Sequence, residues 1–187
     1  LFAHHTKGTM ILRVEDTDQR RYVPGSMDRL IADIEWLGIK IDEGPIIQSE
    51  HTPRHQAVAH ELVAKGAAYY DFSSETGVGE RAEEQYRAGR TANRSPDRTL
   101  DPAKAKSRVD AGESYVVRLK VPESGKIVVE DLVRGQVEFD LSTIDDAVLL
   151  KSDGFATYHL AAMVDDHDMQ ISHILRAEEW LPSTPKH

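Results

Sequence analysis

A chain of 187 residues can form one substantial domain or two small ones, and 40% hydrophobic with 29% charged residues fits a soluble globular protein. No apolar run approaches the roughly 20 residues that span a bilayer, so no membrane partner is expected. The absence of cysteine rules out disulfides and thiolate metal sites, and a formal charge of −9 weighs against a protein that coats nucleic acid through net charge. No secretory signal is visible. The opening Leu1-Phe2-Ala3-His4-His5 lacks an initiator Met, so the chain is expected to start inside a longer protein. Cysteine-free composition is compatible with the cytoplasm, the expected location.

Met10 to Val14 reads as a short buried strand, and it runs into Glu15-Asp16-Thr17-Asp18 and then Arg20-Arg21. Buried unpaired charge is costly, so three carboxylates at a strand end belong where a ligand can meet them. In open α/β sheets that place is the crevice beyond the carboxyl ends of the strands. An acidic, solvated turn is the plain alternative.

Pro24 to Leu37 predicts a helix with an apolar stripe of Met27, Leu30, Ile31, Ile34 and Leu37, stopped by Gly38. Asp42-Glu43-Gly44-Pro45 predicts a turn. Thr52 caps a helix from Pro53 to about Lys65, with Val58, Leu62 and Val63 inward. Strand, helix, turn, helix begins a βαβ-type arrangement.

The character changes near Ala67. Ala68 to Phe72 suits a strand, Ser73 to Asp101 is polar with a short helix expected around Glu80 to Arg87, and Asp101-Pro102 opens another helix. Three β-rich segments follow, Tyr115 to Val121, Lys126 to Val133 and Gln136 to Leu141, which read as an α+β insertion. Arg81 to Arg108 holds eight basic and four acidic residues, a local +4 on an acidic protein. Such a sector is compatible with docking of a phosphate backbone, and equally with a solvated helical surface.

Ala147 to Lys151 predicts a strand, Ser152-Asp153-Gly154 a turn, and Tyr158 to Val164 a helix. Gln170 to Leu175 predicts a last strand leading into Arg176-Ala177-Glu178-Glu179-Trp180. Two strand ends of opposite charge, Glu15 and Arg176, would suit a zwitterionic or dipolar ligand.

Asp165-Asp166-His167-Asp168 has metal-like composition, but adjacent residues seldom converge on one ion, and helix-end chemistry is the favoured reading. Neither a G-x-x-x-x-G-K-[ST] loop nor a G-x-G-x-x-G fingerprint occurs, and a thiol nucleophile is excluded.

Taken together, the blocks LFAHHTKGTMILRVEDTDQRRYVPGS, WLGIKIDEGP, RLKVP, DLVRGQVEFD, LLKSDGFATYHLAAMVDDHDM and ILRAEEWLPSTPKH closely resemble the bacterial and organellar glutamyl-tRNA synthetases, a class I family. The resemblance implies an α/β fold, a Rossmann-type parallel-sheet catalytic domain interrupted by an α+β insertion that binds the tRNA acceptor stem. The catalytic parts would be 1–68 and 158–187, and the insertion 69–157. It implies ATP with Mg2+ as a substrate, L-glutamate and tRNA(Glu) as partners, a monomer, and no zinc or other bound metal, since Asp71 and Ser73 occupy the neighbourhood of cysteines that bind zinc in some members.

By the same resemblance, Glu15 matches the ligand of the substrate α-ammonium, Tyr158 a substrate-binding tyrosine, and Arg176 the clamp on the substrate side-chain carboxylate. Glu179 and Trp180 match positions beside ATP, and Asp18 and Arg21 lie where members approach the tRNA terminus. The Thr-Gly-x-x-His-x-Gly-type and Lys-Met-Ser-Lys-Ser-type signatures are absent, so no catalytic residue is assigned and the chain alone is expected to be inactive. A glutamyl-Q tRNA(Asp) synthetase-like paralogue and a non-catalytic tRNA-binding module are the alternatives.

Overall fold

A computed structural model, which describes residues 1–18, 23–73, 92 and 94–187, divides the chain into two units, Leu1–Pro53 and Arg54–His187. The helix expected around Glu80 to Arg87 lies outside the described residues, as does Arg21.

The first unit holds a short helix α1 (Phe2–His5), strand β1 (Ile11–Val14), helix α2 (Ser26–Trp36) and strand β2 (Glu43–Ile47). β1 and β2 pair in parallel with α2 as the crossover, the βαβ arrangement that the sequence pattern implies. Of the expected turn Asp42-Glu43-Gly44-Pro45, all but Asp42 is part of β2. Ile11 pairs with Glu43 and Arg13 with Ile46, so β2 carries one extra residue in a bulge. Gly44 makes that bulge possible, with φ at +106° and a position where a Cβ would stand 2.4 Å from the Leu12 carbonyl oxygen. Turn-type residues here serve a strand because pairing with β1 outweighs local preference. α2 buries no residue completely: Met27, Ile31 and Ile34 are half-buried, and Leu30 and Leu37 are exposed.

The second unit is built on an antiparallel sheet of β3 (Ala68–Asp71), β4 (Val116–Leu119) and β7 (Val148–Leu150), in the order β3-β4-β7. A separate hairpin pairs β5 (Lys126–Asp131) with β6 (Gly135–Asp140). Among the described residues, α3 (Thr52–Ala64), which crosses into this unit, α4 (Pro102–Asp110) and α5 (Tyr158–Asp168) are its helices. Asp101 caps α4 by accepting from the Ala103 and Lys104 N–H groups, as the Asp-Pro pair predicts.

Period-two alternation divides the sheet into an apolar face and a charged one. Ala68 and Val117 join Ala59 of α3 and Leu160, Ala161 and Val164 of α5 in the core, with Val58, Leu62 and Val63 packed against it. Tyr69, Asp71 and Arg118 take the other parity and meet an ionic network instead. Tyr69 donates to Asp146 at 3.0 Å, and Arg98 Nη1 reaches the same carboxylate at 2.6 Å. Arg118 donates to the Asp71 carboxylate and to the Asp146 carbonyl. Two arginines thus face two aspartates, all buried, and no charge is left uncompensated in the set.

Candidate functional site

Chain geometry places Tyr158 at the first position of α5, directly after the sheet. Thr157 is strapped to β7 by two bonds: its N–H donates to the Leu149 carbonyl at 2.8 Å and its hydroxyl to the Val148 carbonyl at 2.6 Å. Those bonds fix where α5 starts and therefore where the Tyr158 ring projects. α5 is held against α3 by a buried His55–Asp165 contact at 2.8 Å and by Arg54, which binds Asp168 through two nitrogens at 2.8 and 3.2 Å. Asp165 and Asp168, neighbours in the metal-like run, therefore turn to different partners. Arg54 and His167 together hold the Asp168 carboxyl well below the usual range.

Beyond α5 the predicted strand Gln170 to Leu175 does not form; 171–177 carries no regular structure, and no described strand lies beside it to supply the ladder bonds. Arg176 therefore follows irregular backbone and precedes a 3₁₀ segment, Glu178–Lys186. Arg134 at the hairpin turn pairs with Glu178 at 2.5 Å and anchors the start of that segment.

Arg176 is the centre of a polar and aromatic cluster. Its Nη2 donates to the Tyr158 hydroxyl, and its Nη1 reaches Ser183 Oγ at 3.4 Å and His187 Nδ1 at 3.3 Å. The guanidinium carbon lies 5.3 Å from the Tyr158 ring centroid and 6.0 Å from that of Trp180, within cation–π range. Ser183 in turn donates to the Trp180 carbonyl at 2.7 Å. Every hydrogen-bond partner that the described residues give Arg176 is neutral, so the guanidinium keeps its positive charge for an anion. A planar guanidinium beside aromatic rings can bind a carboxylate through two parallel bonds.

The structure thus brings Tyr158, Arg176 and Trp180 together. Glu179 is exposed in the same 3₁₀ segment, and Ala162 is buried in α5. Glu15 and Asp18 belong to the first unit, just past β1. Glu15 is exposed and pairs with Arg13 at 3.3 Å, and Asp18 is exposed. The acidic cluster at this strand end divides by role: Asp16 accepts from the Ser49 N–H at 2.8 Å and the Ser49 hydroxyl at 2.6 Å, joining the ends of β1 and β2. Asp16 is structural, a role that local pattern does not reveal because its partner lies 33 residues away.

The sequence reading also missed His159 and His187. They lie in the motif blocks, but their contact spans 28 residues and carries no local signature.

The basic sector is largely spent inside the molecule. Arg94 donates to the Pro122 and Leu141 carbonyls, Arg98 to Asp146, Lys106 to Asp110, and Arg108 pairs with Glu113 while covering the Phe72 ring at 3.9 Å. Lys104 stays exposed; Arg81, Arg87 and Arg90 lie outside the described residues. The described part of the sector, Arg94 to Arg108, does not form a bare cationic face.

Residues 1–187 match the family model described as tRNA synthetases class I (E and Q), catalytic domain. A glutamate–tRNA ligase from Alkaliphilus metalliredigens is 44% identical over the whole chain and 41% of its own length, and one from Deinococcus radiodurans is 47% identical over 99% of the chain and 40% of its length. The chain spans about 40% of the length of such relatives. Among solved structures, a glutamate tRNA ligase from Elizabethkingia meningosepticum in complex with its amino acid superposes with a TM-score of 0.85, at 34% identity, covering 98% of this chain and 40% of that one.

Proposed function

Because the chain belongs to the class I tRNA synthetases (E and Q), catalytic-domain family, we propose that it forms glutamate-binding and tRNA-facing parts of a glutamate–tRNA ligase. The observation that carries this reading is the Arg176 cluster, a guanidinium flanked by Tyr158 and Trp180 whose hydrogen-bond partners among the described residues are all neutral. In the proposed reaction, a glutamate α-carboxylate oxygen attacks the α-phosphorus of ATP, which is bound with Mg2+. Pyrophosphate leaves and glutamyl-adenylate forms. A hydroxyl of the terminal ribose of tRNA(Glu) then attacks the carbonyl carbon, and AMP departs.

Arg176 binds the side-chain carboxylate, and this charge-assisted contact favours glutamate over the neutral amide of glutamine. Tyr158 orients the guanidinium and lines the pocket. Glu15 accepts hydrogen bonds from the α-ammonium, a role that its exposed position after β1 supports. Glu179 and Trp180 flank the nucleotide, and Asp18 and Arg21 face the tRNA terminus.

The segment 69–157 serves as the acceptor-stem-binding insertion, and the protein acts as a cytoplasmic monomer. Zinc has no place at Asp71 and Ser73 in this reading. The Asp71 carboxylate already accepts from Ser73, Ser95 and the Arg118 guanidinium, a cation that would oppose a metal there.

Glutamate-dependent ATP–pyrophosphate exchange tests the proposal, using the chain joined at both ends to the flanking regions of the Alkaliphilus relative, with the chain by itself alongside. Exchange is expected in the joined protein and not in the chain alone. Exchange supported by another amino acid and not by glutamate would overturn the assignment.

A further inference from the structure

We propose that His187, relayed by His159, is a positioning residue that aims Arg176 at the substrate carboxylate and makes glutamate affinity sensitive to acid. The inference rests on the reading of Arg176 as the side-chain clamp.

Hydrogen-bond directions carry the argument. A guanidinium can only donate, so Arg176 Nη1, 3.3 Å from His187 Nδ1, requires a lone pair on that nitrogen. A neutral His187 then bears its proton on Nε2, which lies 3.0 Å from His159 Nδ1. That atom must accept, so His159 carries its proton on Nε2. One tautomer pattern therefore satisfies both contacts, Arg176 to His187 and His187 to His159, and it exists only while both imidazoles are neutral. A proton added to His187 Nδ1 would place an N–H and a second positive charge against the guanidinium. A proton added to His159 Nδ1 would set donor against donor.

The surroundings favour the neutral pattern. The groups facing His187 are Arg176, the Tyr158 ring at 6.0 Å, His159, Lys186 and Asp166. Desolvation of the ring, then the charges of His159 and Arg176, push His187 down to about 4, against the opposing pull of Asp166. Desolvation, followed by Lys186 and Arg176, lowers His159 as well. Near neutral pH both rings are uncharged, and Arg176 is held on one side by Tyr158 and on the other by His187.

The test measures KM and kcat for glutamate in ATP–pyrophosphate exchange across the acid range, in the joined protein described above. His187→Leu is expected to raise KM for glutamate about tenfold, with a smaller change in kcat. His187→Asn, whose side-chain oxygen can accept from Arg176, should keep KM near its unsubstituted value at neutral pH. It should also lose the rise in KM expected of the unsubstituted protein as pH falls through about 4. An unchanged KM in His187→Leu, or an identical acid limb in His187→Asn, overturns the inference. Arg176→Ala separates the two levels: if it raises KM while His187→Leu does not, only the positioning role fails. If Arg176→Ala leaves KM unchanged, the reading of the clamp beneath it fails too.

Discussion

Arginine is used in two opposite ways within the Arg54–His187 unit. Beneath the sheet, Arg98 and Arg118 are 9% and 6% exposed and end on the carboxylates of Asp146 and Asp71. At the start of α5, Arg176 ends on a phenol, a hydroxyl and an imidazole, with aromatic faces beside it. The first pair is electrically closed; burial favours the neutral form of Asp71, yet hydrogen bonds from Ser73, Arg118 and Ser95 outweigh it and keep the carboxyl below its ordinary pKa. The second is open. A guanidinium whose charge is cancelled by its own protein cements a fold, whereas one oriented by neutral groups retains its attraction for a ligand anion. The nature of the partner, more than the arginine itself, separates scaffold from site.

The contrast is broken most forcefully at Asp146. Asp146→Ala leaves Arg98 buried without its carboxylate and removes acceptors from Tyr69 and the Val121 N–H, and should cost about 3–5 kcal/mol in urea unfolding. Arg176→Ala should do the reverse. In the joined protein it is expected to weaken glutamate binding by about 1.5–3 kcal/mol, roughly ten- to a hundredfold in calorimetric Kd, while the unfolding midpoint barely moves. A large stability loss there would place Arg176 with the scaffold.

Thr157→Val probes the strap that links sheet to site. Loss of its 2.6 Å bond to the Val148 carbonyl should cost about 0.5–1.5 kcal/mol in unfolding, with a modest rise in KM for glutamate as the Tyr158 ring loses its register. The smallest effect concerns pH. Because the His187 pKa in the folded chain lies near 4, below its ordinary 6.5, the unfolded chain binds more protons between those values. Its contribution to stability is present above about pH 6.5 and is lost as pH falls towards 4. The unfolding midpoint of the unsubstituted chain should therefore drop more over that range than that of His187→Asn.

Local pattern carried much of the architecture. The run Met10 to Val14, the Asp101-Pro102 helix start and the β-rich segments Lys126 to Val133 and Gln136 to Leu141 all became the expected elements, within one or two residues at each end. The errors have a common cause. Of the expected turn Asp42 to Pro45, Glu43 to Pro45 is strand because β1 pairs with it, while Gln170 to Leu175 looked like a strand and is irregular with no described strand to pair with. Strand formation depends on a partner elsewhere in the chain, whereas a helix closes its own hydrogen bonds.

The site shows the same division. The motif blocks singled out Tyr158, Arg176 and Trp180, since residue types and order survive in a linear reading. What the sequence by itself determined is the family, the helix starts at Asp101-Pro102 and at Tyr158, and the chemistry available at the Arg176 position. Only the tertiary structure decided which arginines were already neutralised, that Asp16 is structural, and that His159 and His187 stand behind Arg176. Those assignments depend on contacts of a few ångströms between residues 11 to 48 positions apart, and no local periodicity records them.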